Sequence, residues 1–387
     1  MFEPMFLIPY YMVITYASVY MLHLGLSHAQ IGLITTIGSS LQVATSFVSG
    51  YLTDRLGRRR ALLYFDLLSW SVPALLWAIS QQFLLFLIAA AINSLVKIPA
   101  TAFYCLLIED TPASVRSKVF SVLQFTGAAG GVFAPLAALI VMRYDLVTSV
   151  RIMYLIFFAS TTAMFILRHR YLYDTEIGRK KMENNGKTLR SILLEYRATG
   201  AALLANRSLR PFLFVYVLFY FQLIVKNTFL SLFMLERLGF SETAIAWFPA
   251  ISSVAMLSVL FLVTPRLDYR KSRTYIVTGI VLTIVSYVLL LASPMRSMVF
   301  ISASTALHAV GTLLIQPYLE SYLANEVGDE ERASFYAILT VCVMICTSPA
   351  GMLGGWTYGI QPQLPFLLIA AGFAIGAAAL GRRKQIG

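Results

Sequence analysis

Charge is what this chain has least of. Only 12% of its 387 residues are Asp, Glu, Lys or Arg, about half the share of a soluble domain. Cysteine is scarce too: Cys105, Cys342 and Cys346 all lie in apolar runs, so no disulfide framework or redox pair follows. The phosphate-binding pattern Gly-x4-Gly-Lys-Ser/Thr is missing, which excludes an ATPase of that type. No span pairs a nucleophile with a base or gathers metal ligands, so neither catalysis, metal nor cofactor is expected. A cleavable signal is also lacking. The first apolar run follows Phe2-Glu3-Pro4-Met5 with no Lys or Arg ahead of it, and a longer natural N-terminus is expected.

What fills the chain is apolar: 58% by the AVILMFWYC count, with a mean hydropathy of +0.75. No water-soluble globule could hide that much apolar surface. An integral, multi-pass membrane protein is the class that remains. The net charge of +12 is then read as basic loops on one side of a bilayer rather than as a nucleic-acid footprint.

A helix crossing the hydrocarbon core takes about 20 apolar residues. Apolar runs between polar breaks place spans near 5–23, 29–52, 61–80, 82–109, 118–142 and 147–168, then 211–235, 242–264, 274–292, 297–324, 334–358 and 363–381. The polar stretch 169–209 separates the two sets. Three segments result: a six-helix bundle over 1–168, a linker over 169–209, and a second six-helix bundle over 210–387. Within the linker, Thr188 is expected to cap a short interfacial helix through Leu189, Ile192, Leu193 and Tyr196. Twenty-four of the 30 Lys and Arg fall in loops on the side of the linker and termini. Four fall opposite, and Lys97 and Lys226 sit inside spans. Both termini are therefore expected in the cytoplasm.

The halves repeat. Leu24-Gly25-Leu26-Ser27 and Ile31 match Leu238-Gly239-Phe240-Ser241 and Ile245 at an offset of 214, which also carries Asp54 onto Asp268 and Arg59 onto Arg273. Arg116-Ser117-Lys118-Val119-Phe120 resembles Arg332-Ala333-Ser334-Phe335-Tyr336 at 216. Two similar halves in the same orientation form the parallel-repeat pattern of a transporter with a central site between them.

After the second span stands Gly50-Tyr51-Leu52-Thr53-Asp54-Arg55-Leu56-Gly57-Arg58-Arg59-Arg60. This closely resembles the signature Gly-x-Leu-x-Asp-Arg-x-Gly-Arg-Arg of the major facilitator superfamily. The resemblance implies an all-α membrane protein of twelve transmembrane helices, arranged as two pseudo-symmetric six-helix bundles. It also implies a conformational latch at Gly50, Asp54, Arg55, Gly57, Arg58 and Arg59, with Asp268 and Arg273 as its degraded second copy. Gly50 is expected to permit close helix approach, and Asp66 to pair with the basic latch region. The run Gly127, Gly130, Gly131 and Pro135 partly resembles a span-five pattern of proton-driven exporters, with alanines at some glycine positions. Pro349, Gly351, Gly354 and Gly355 form a similar small-residue face in span eleven. Helix packing through small residues accounts for both runs.

Ionisable side chains at mid-bilayer are costly and are functional candidates by default. At 1.5 Å rise per residue, Lys97 lies about 18 Å, Lys226 about 22 Å and His308 about 24 Å from the cytoplasmic ends of spans four, seven and ten. No carboxylate lies at that depth: Asp66 and Glu320 lie only about 6–8 Å in. The lysines then need a water-filled cavity, loss of the proton or a negatively charged ligand. In the resembling family, spans one, four, seven and ten line the central cavity. Helical spacing adds Asn93 and Tyr104 to Lys97, Gln222 and Asn227 to Lys226, and Thr312 to His308. Glu320 shares a further face with Gln316, and Tyr16 is among the polar groups of the first span. These are the candidates for substrate binding or coupling.

The function expected is alternating-access secondary transport of a small organic solute, with protons as coupling ion and the bilayer as the other partner. Two lysines without acids disfavour a cation, so an anionic, zwitterionic or neutral solute is expected. A multidrug efflux antiporter and a non-transporting sensor or scaffold are the alternatives. A functional monomer in a bacterial plasma membrane completes the expectation.

Overall fold

The computed structural model describes residues 2–112, 115–183, 210–266, 272–325 and 332–381. Among these residues every regular element is helical. Eleven helices are long and apolar enough to cross a membrane. They are Glu3–His23, His28–Leu56, Arg58–Ile79, Phe83–Glu109, Ser121–Val141, Leu146–Tyr171, Arg210–Arg237, Glu242–Leu262, Ser272–Leu291, Met298–Glu320 and Leu339–Ile360. They are called spans one to eleven. Leu364–Leu380 is a twelfth apolar helix, shorter than the rest. The linker residues from 184 to 209, with the expected Thr188 helix, and Asp268 lie outside the described residues.

Local chemistry sets the ends of these helices. Spans one and seven both stop at a glycine with positive φ, Gly25 (85°) and Gly239 (67°), a conformation glycine adopts without a Cβ clash. Two residues on, Ser27 caps span two in a capping box with Gln30, and Ser241 caps span eight by accepting from the Ala244 N–H. The repeat seen in the sequence is thus a repeated turn. Gly57, at φ 84°, separates spans two and three without any longer loop.

Several spans are interrupted inside the apolar layer. Span three contains a π-turn at Leu67–Ser71, span four a 3-10 turn at Ser94–Val96, span five a 3-10 turn at Gly131–Phe133, and span seven ends in a π-turn at Phe233–Arg237. Such turns change the rotation of everything beyond them. The core is aromatic as well as aliphatic: Tyr16, Tyr20, Phe86, Phe157, Phe219, Phe229, Phe233 and Phe373 are fully buried.

The two halves meet most closely at the end remote from both termini, called here the distal end. Span two packs there against span eleven. A Cβ on Gly355 would meet the His28 carbonyl, and one on Gly351 would lie 2.7 Å from Thr35 Cβ. Only glycine permits this approach. Thr36 Oγ1 accepts from the Met352 N–H at 2.7 Å. Span five meets span eight at Gly131, whose missing Cβ leaves room for Ser253. Gly130 instead faces Leu7 and Tyr11 of span one, and Gly354 faces Phe229 of span seven. Pro135 and Pro349 stand at the starts of the helical segments that resume after the breaks in spans five and eleven.

Candidate functional site

Three polar constellations stand out among the described residues.

The first lies within the second half. Lys226 on span seven donates from Nζ to His308 Nδ1 on span ten at 2.8 Å. His308 Nε2 meets Gln222 Oε1 at 2.9 Å, and Tyr287 of span nine donates to the same oxygen at 2.6 Å. Thr312 Oγ1 adds a 3.3 Å contact to Nδ1. An amide oxygen only accepts, so His308 Nε2 carries a hydrogen and Nδ1 faces the lysine. One proton can then pass between Lys226 and His308 while the two hydrogen bonds to Gln222 Oε1 keep their direction. His308 is 4% exposed and Gln222 fully buried, with its Nε2 left without a partner. Among the described residues no carboxylate lies within 4 Å of Lys226 or Lys97. The network borders a cavity of about 10 Å³ between spans seven, nine and ten, room for about one water. Lys226 and His308 therefore come together inside one bundle. Asn227, beside them in sequence, is exposed.

In span four the expected face is broken. The 3-10 turn at Ser94–Val96 intervenes, and Asn93 donates to the Ser69 carbonyl of span three at 2.7 Å. Lys97 remains partly buried. Tyr104 lines a different cavity, about 180 Å³, with Glu3, Phe6, Asp66, Trp70, Phe103 and Arg168 among its walls. Tyr16 is fully buried and donates to the Glu242 carbonyl at 2.7 Å, joining span one to span eight. Near the end of span ten, Glu320 accepts from Tyr220 at 3.0 Å and from Gln316 at 3.2 Å.

The second constellation is the glycine–arginine motif. Arg58 is fully buried and pairs with Asp54 at 2.8 Å and with Glu109, at the end of span four, at 3.0 Å. Asp174 caps span three by accepting from the Arg59 N–H at 2.9 Å, and the Arg59 side chain donates to the His169 carbonyl. Thr175 donates to Glu109 as well. The motif is thereby tied to the chain that leaves span six, where the helix Glu176–Glu183 begins. Among the described residues Arg55 reaches Tyr51, and Arg273 donates to the Leu380 carbonyl. Three expectations need correction. Asp66 pairs with Arg168 of span six rather than with the basic loop, because helix rotation turns it into the bundle. At Gly50 an added Cβ would meet nothing among the described residues within 4 Å, so close approach is not its role there; the same holds for Gly127, whose carbonyl instead accepts from Tyr11.

The third, at the distal end, was not read from the sequence. His23 Nε2 stands 3.1 Å from Glu242 Oε1, and His28 Nε2 stands 3.1 Å from both oxygens of Glu236. Tyr358 donates to Glu236 at 2.8 Å. Each pair joins the first half to the second. His28 and Glu242 occupy equivalent positions at the 214-residue offset, so the arrangement has approximate two-fold symmetry with both bases on one half and both acids on the other.

Twin helix sets, a repeated glycine–serine turn and the basic motif on one chain agree with a match of residues 5–226 and 212–385 to the Major Facilitator Superfamily. The chain belongs to that superfamily. No curated protein sequence matches it. Among solved structures it is similar to the nucleoside transporter NupG, at 14% identity and a TM-score of 0.72, covering 99% of this chain and 98% of that one. It is similar to the peptide transporter POT in complex with sulfate, at 14% and 0.72, covering 98% and 92%. The human organic anion transporter MFSD10 (TETRAN) aligns at 16% and 0.66, covering 98% and 97%. At these identities the likeness is one of fold. The protein is an integral, multi-pass membrane protein of a transporter family.

Proposed function

We propose that this protein is a secondary active transporter moving a small organic solute by alternating access, with protons as the coupling ion. The halves 1–168 and 210–387, joined by 169–209, are the rocking units of a twelve-span monomer. Positive-inside bias puts the termini in the cytoplasm and the distal end outside, in a bacterial plasma membrane.

The observation that carries this reading is the Lys226–His308–Gln222–Tyr287 chain. An ammonium held inside a membrane span without a carboxylate is costly to keep. It is retained where its charge is used, either by an anionic group that neutralises it or by a proton that leaves it. The pair offers both. When Lys226 is charged it attracts an anion or the anionic end of a zwitterion; when the proton is released, the attraction ends. Lys97, also without a carboxylate within 4 Å among the described residues, adds to the same preference on the first half. Asp54, Arg58 and Glu109 would hold the first half together as it rotates.

Thermal stabilisation of the purified protein tests the reading, with metabolite anions, zwitterions, neutral solutes and drug-like cations compared side by side. An anion or zwitterion present at 100 times its Kd should stabilise the wild type by about 2.7 kcal/mol, with the shift lost in Lys226→Ala. Stabilisation by cations alone, equal in both proteins, would contradict it.

A further inference from the structure

The distal histidine–glutamate pairs differ in what they demand of a proton. His23 Nδ1 lies 2.9 Å from the Val19 carbonyl. A carbonyl only accepts, so Nδ1 carries a hydrogen. In neutral His23 the other nitrogen, Nε2, would then present a lone pair to Glu242 Oε1 at 3.1 Å. Two acceptors at that distance repel. One further proton, on Nε2 or on the carboxyl oxygen, turns the contact into a charge-assisted hydrogen bond. His28 makes no such demand, because as a neutral Nε2–H tautomer it donates to Glu236 directly.

The surroundings leave His23 as the ionic partner of Glu242. Among the described residues the Glu242 side chain has no other ion pair within 4 Å, and Glu236 has only His28. Arg237 pairs with neither acid. Arg151 of span six donates to Tyr20, Arg296 to the Gly239 carbonyl, Arg143 lies over the Tyr144 ring, and Asp145 caps span six. Tyr358 is engaged by Glu236, and Tyr16 reaches the Glu242 backbone rather than its carboxylate. The two side chains are 35% and 32% exposed, so a proton can arrive from the solution at that end.

We propose that His23 and Glu242 form a proton-binding site that exists only when the two halves are closed at the distal end, so that closure takes up one proton. The site is separate from Lys226 and His308, and it does not depend on which solute is carried. Its sign follows from linkage: the state that binds the extra proton gains population as pH falls. Acid in the distal compartment holds the seal shut and alkali releases it. The one-proton stoichiometry limits the change in the closed-to-open ratio to about tenfold per pH unit.

Spin labels on Met142→Cys and Met295→Cys, in a background with the three native cysteines replaced by serine, report the gap between the halves. The wild type should show a short distance near pH ~5.5 and a growing long-distance population towards pH ~8.5, an interval wide enough to read a one-proton response. His23→Gln supplies a permanent donor to Glu242, so its short distance should persist across the interval. His28→Gln should keep a one-proton response. If His23→Gln does not fold, Glu242→Gln provides the same test, because a neutral amide can donate to the His23 lone pair at any pH. A wild-type distance that ignores pH, or a full pH response in either His23→Gln or Glu242→Gln, would overturn the proposal. The readout is a distance, so a failed transport assignment would leave it standing, and the reverse.

Discussion

Adding one methyl group at Gly351 should force the distal seal apart. The built Cβ would lie 2.7 Å from Thr35 Cβ, and its nearest neighbour is the Gly32 backbone carbonyl. Carbon atoms rest 3.5–4.0 Å apart, so the helices must separate by about 1 Å. Backbone cannot turn aside as a flexible side chain can. Overpacking of this kind costs about 1–3 kcal/mol, and here the cost falls on the closed arrangement alone. The closed-to-open ratio of Gly351→Ala should therefore drop by about 5–150-fold. Gly359→Ala is the control: it sits two turns further along the same helix, and its Cβ would meet nothing among the described residues within 4 Å. Both variants gain the same modest helix propensity. The spin-label pair at positions 142 and 295 reads the result. A Gly351→Ala distance distribution matching both wild type and Gly359→Ala would refute the packing argument.

Other consequences are equally specific. Arg58→Met should lower thermal stability, because it strands Glu109 and Asp54 beside a buried site; breaking a buried pair costs about 3–5 kcal/mol, and Arg58→Lys should recover part of it. Tyr287→Phe should cost about 1 kcal/mol in denaturant unfolding, through the lost hydrogen bond to Gln222. Asp145, outside the spans, is held below the usual carboxylate range by the Thr148 N–H. Because that pKa is lowered on folding, its capping contribution is present above the ordinary Asp value near ~3.9 and is lost as pH falls through the lowered one. Amide exchange at Thr148, after correction for intrinsic rates, should rise only in strong acid, and Asp145→Ala should show that rise at neutral pH.

Much of the architecture was legible because it depends on local chemistry. Hydropathy sets the ends of the eleven long apolar helices to within a few residues, and the Leu-Gly-x-Ser repeat encodes a positive-φ glycine followed by a serine cap. Side-chain direction inside the bundles was less so. Asn93 and Lys97 are four apart and share a face on a continuous helix, yet the 3-10 turn at Ser94–Val96 intervenes and Asn93 goes to Ser69. Lys226, His308 and Gln222 do converge, since their stretches of helix are regular, but the rotation that turns them towards Tyr287 is set by packing. The distal pairs were invisible because His23 and Glu242 are 219 residues apart in sequence and meet only through the fold. The offset that places His28 opposite Glu242 in the repeat was the available signal, and it lay in the residue after each cap.

The central claim is that lysine charge held inside the spans without a carboxylate partner serves solute movement. Proteoliposome transport of the solute identified by stabilisation tests it most directly, comparing wild type with Lys97→Ala and Lys226→Ala in protein that elutes and melts as folded. The account predicts that transport is abolished in both variants. Wild-type transport rates in both would contradict it.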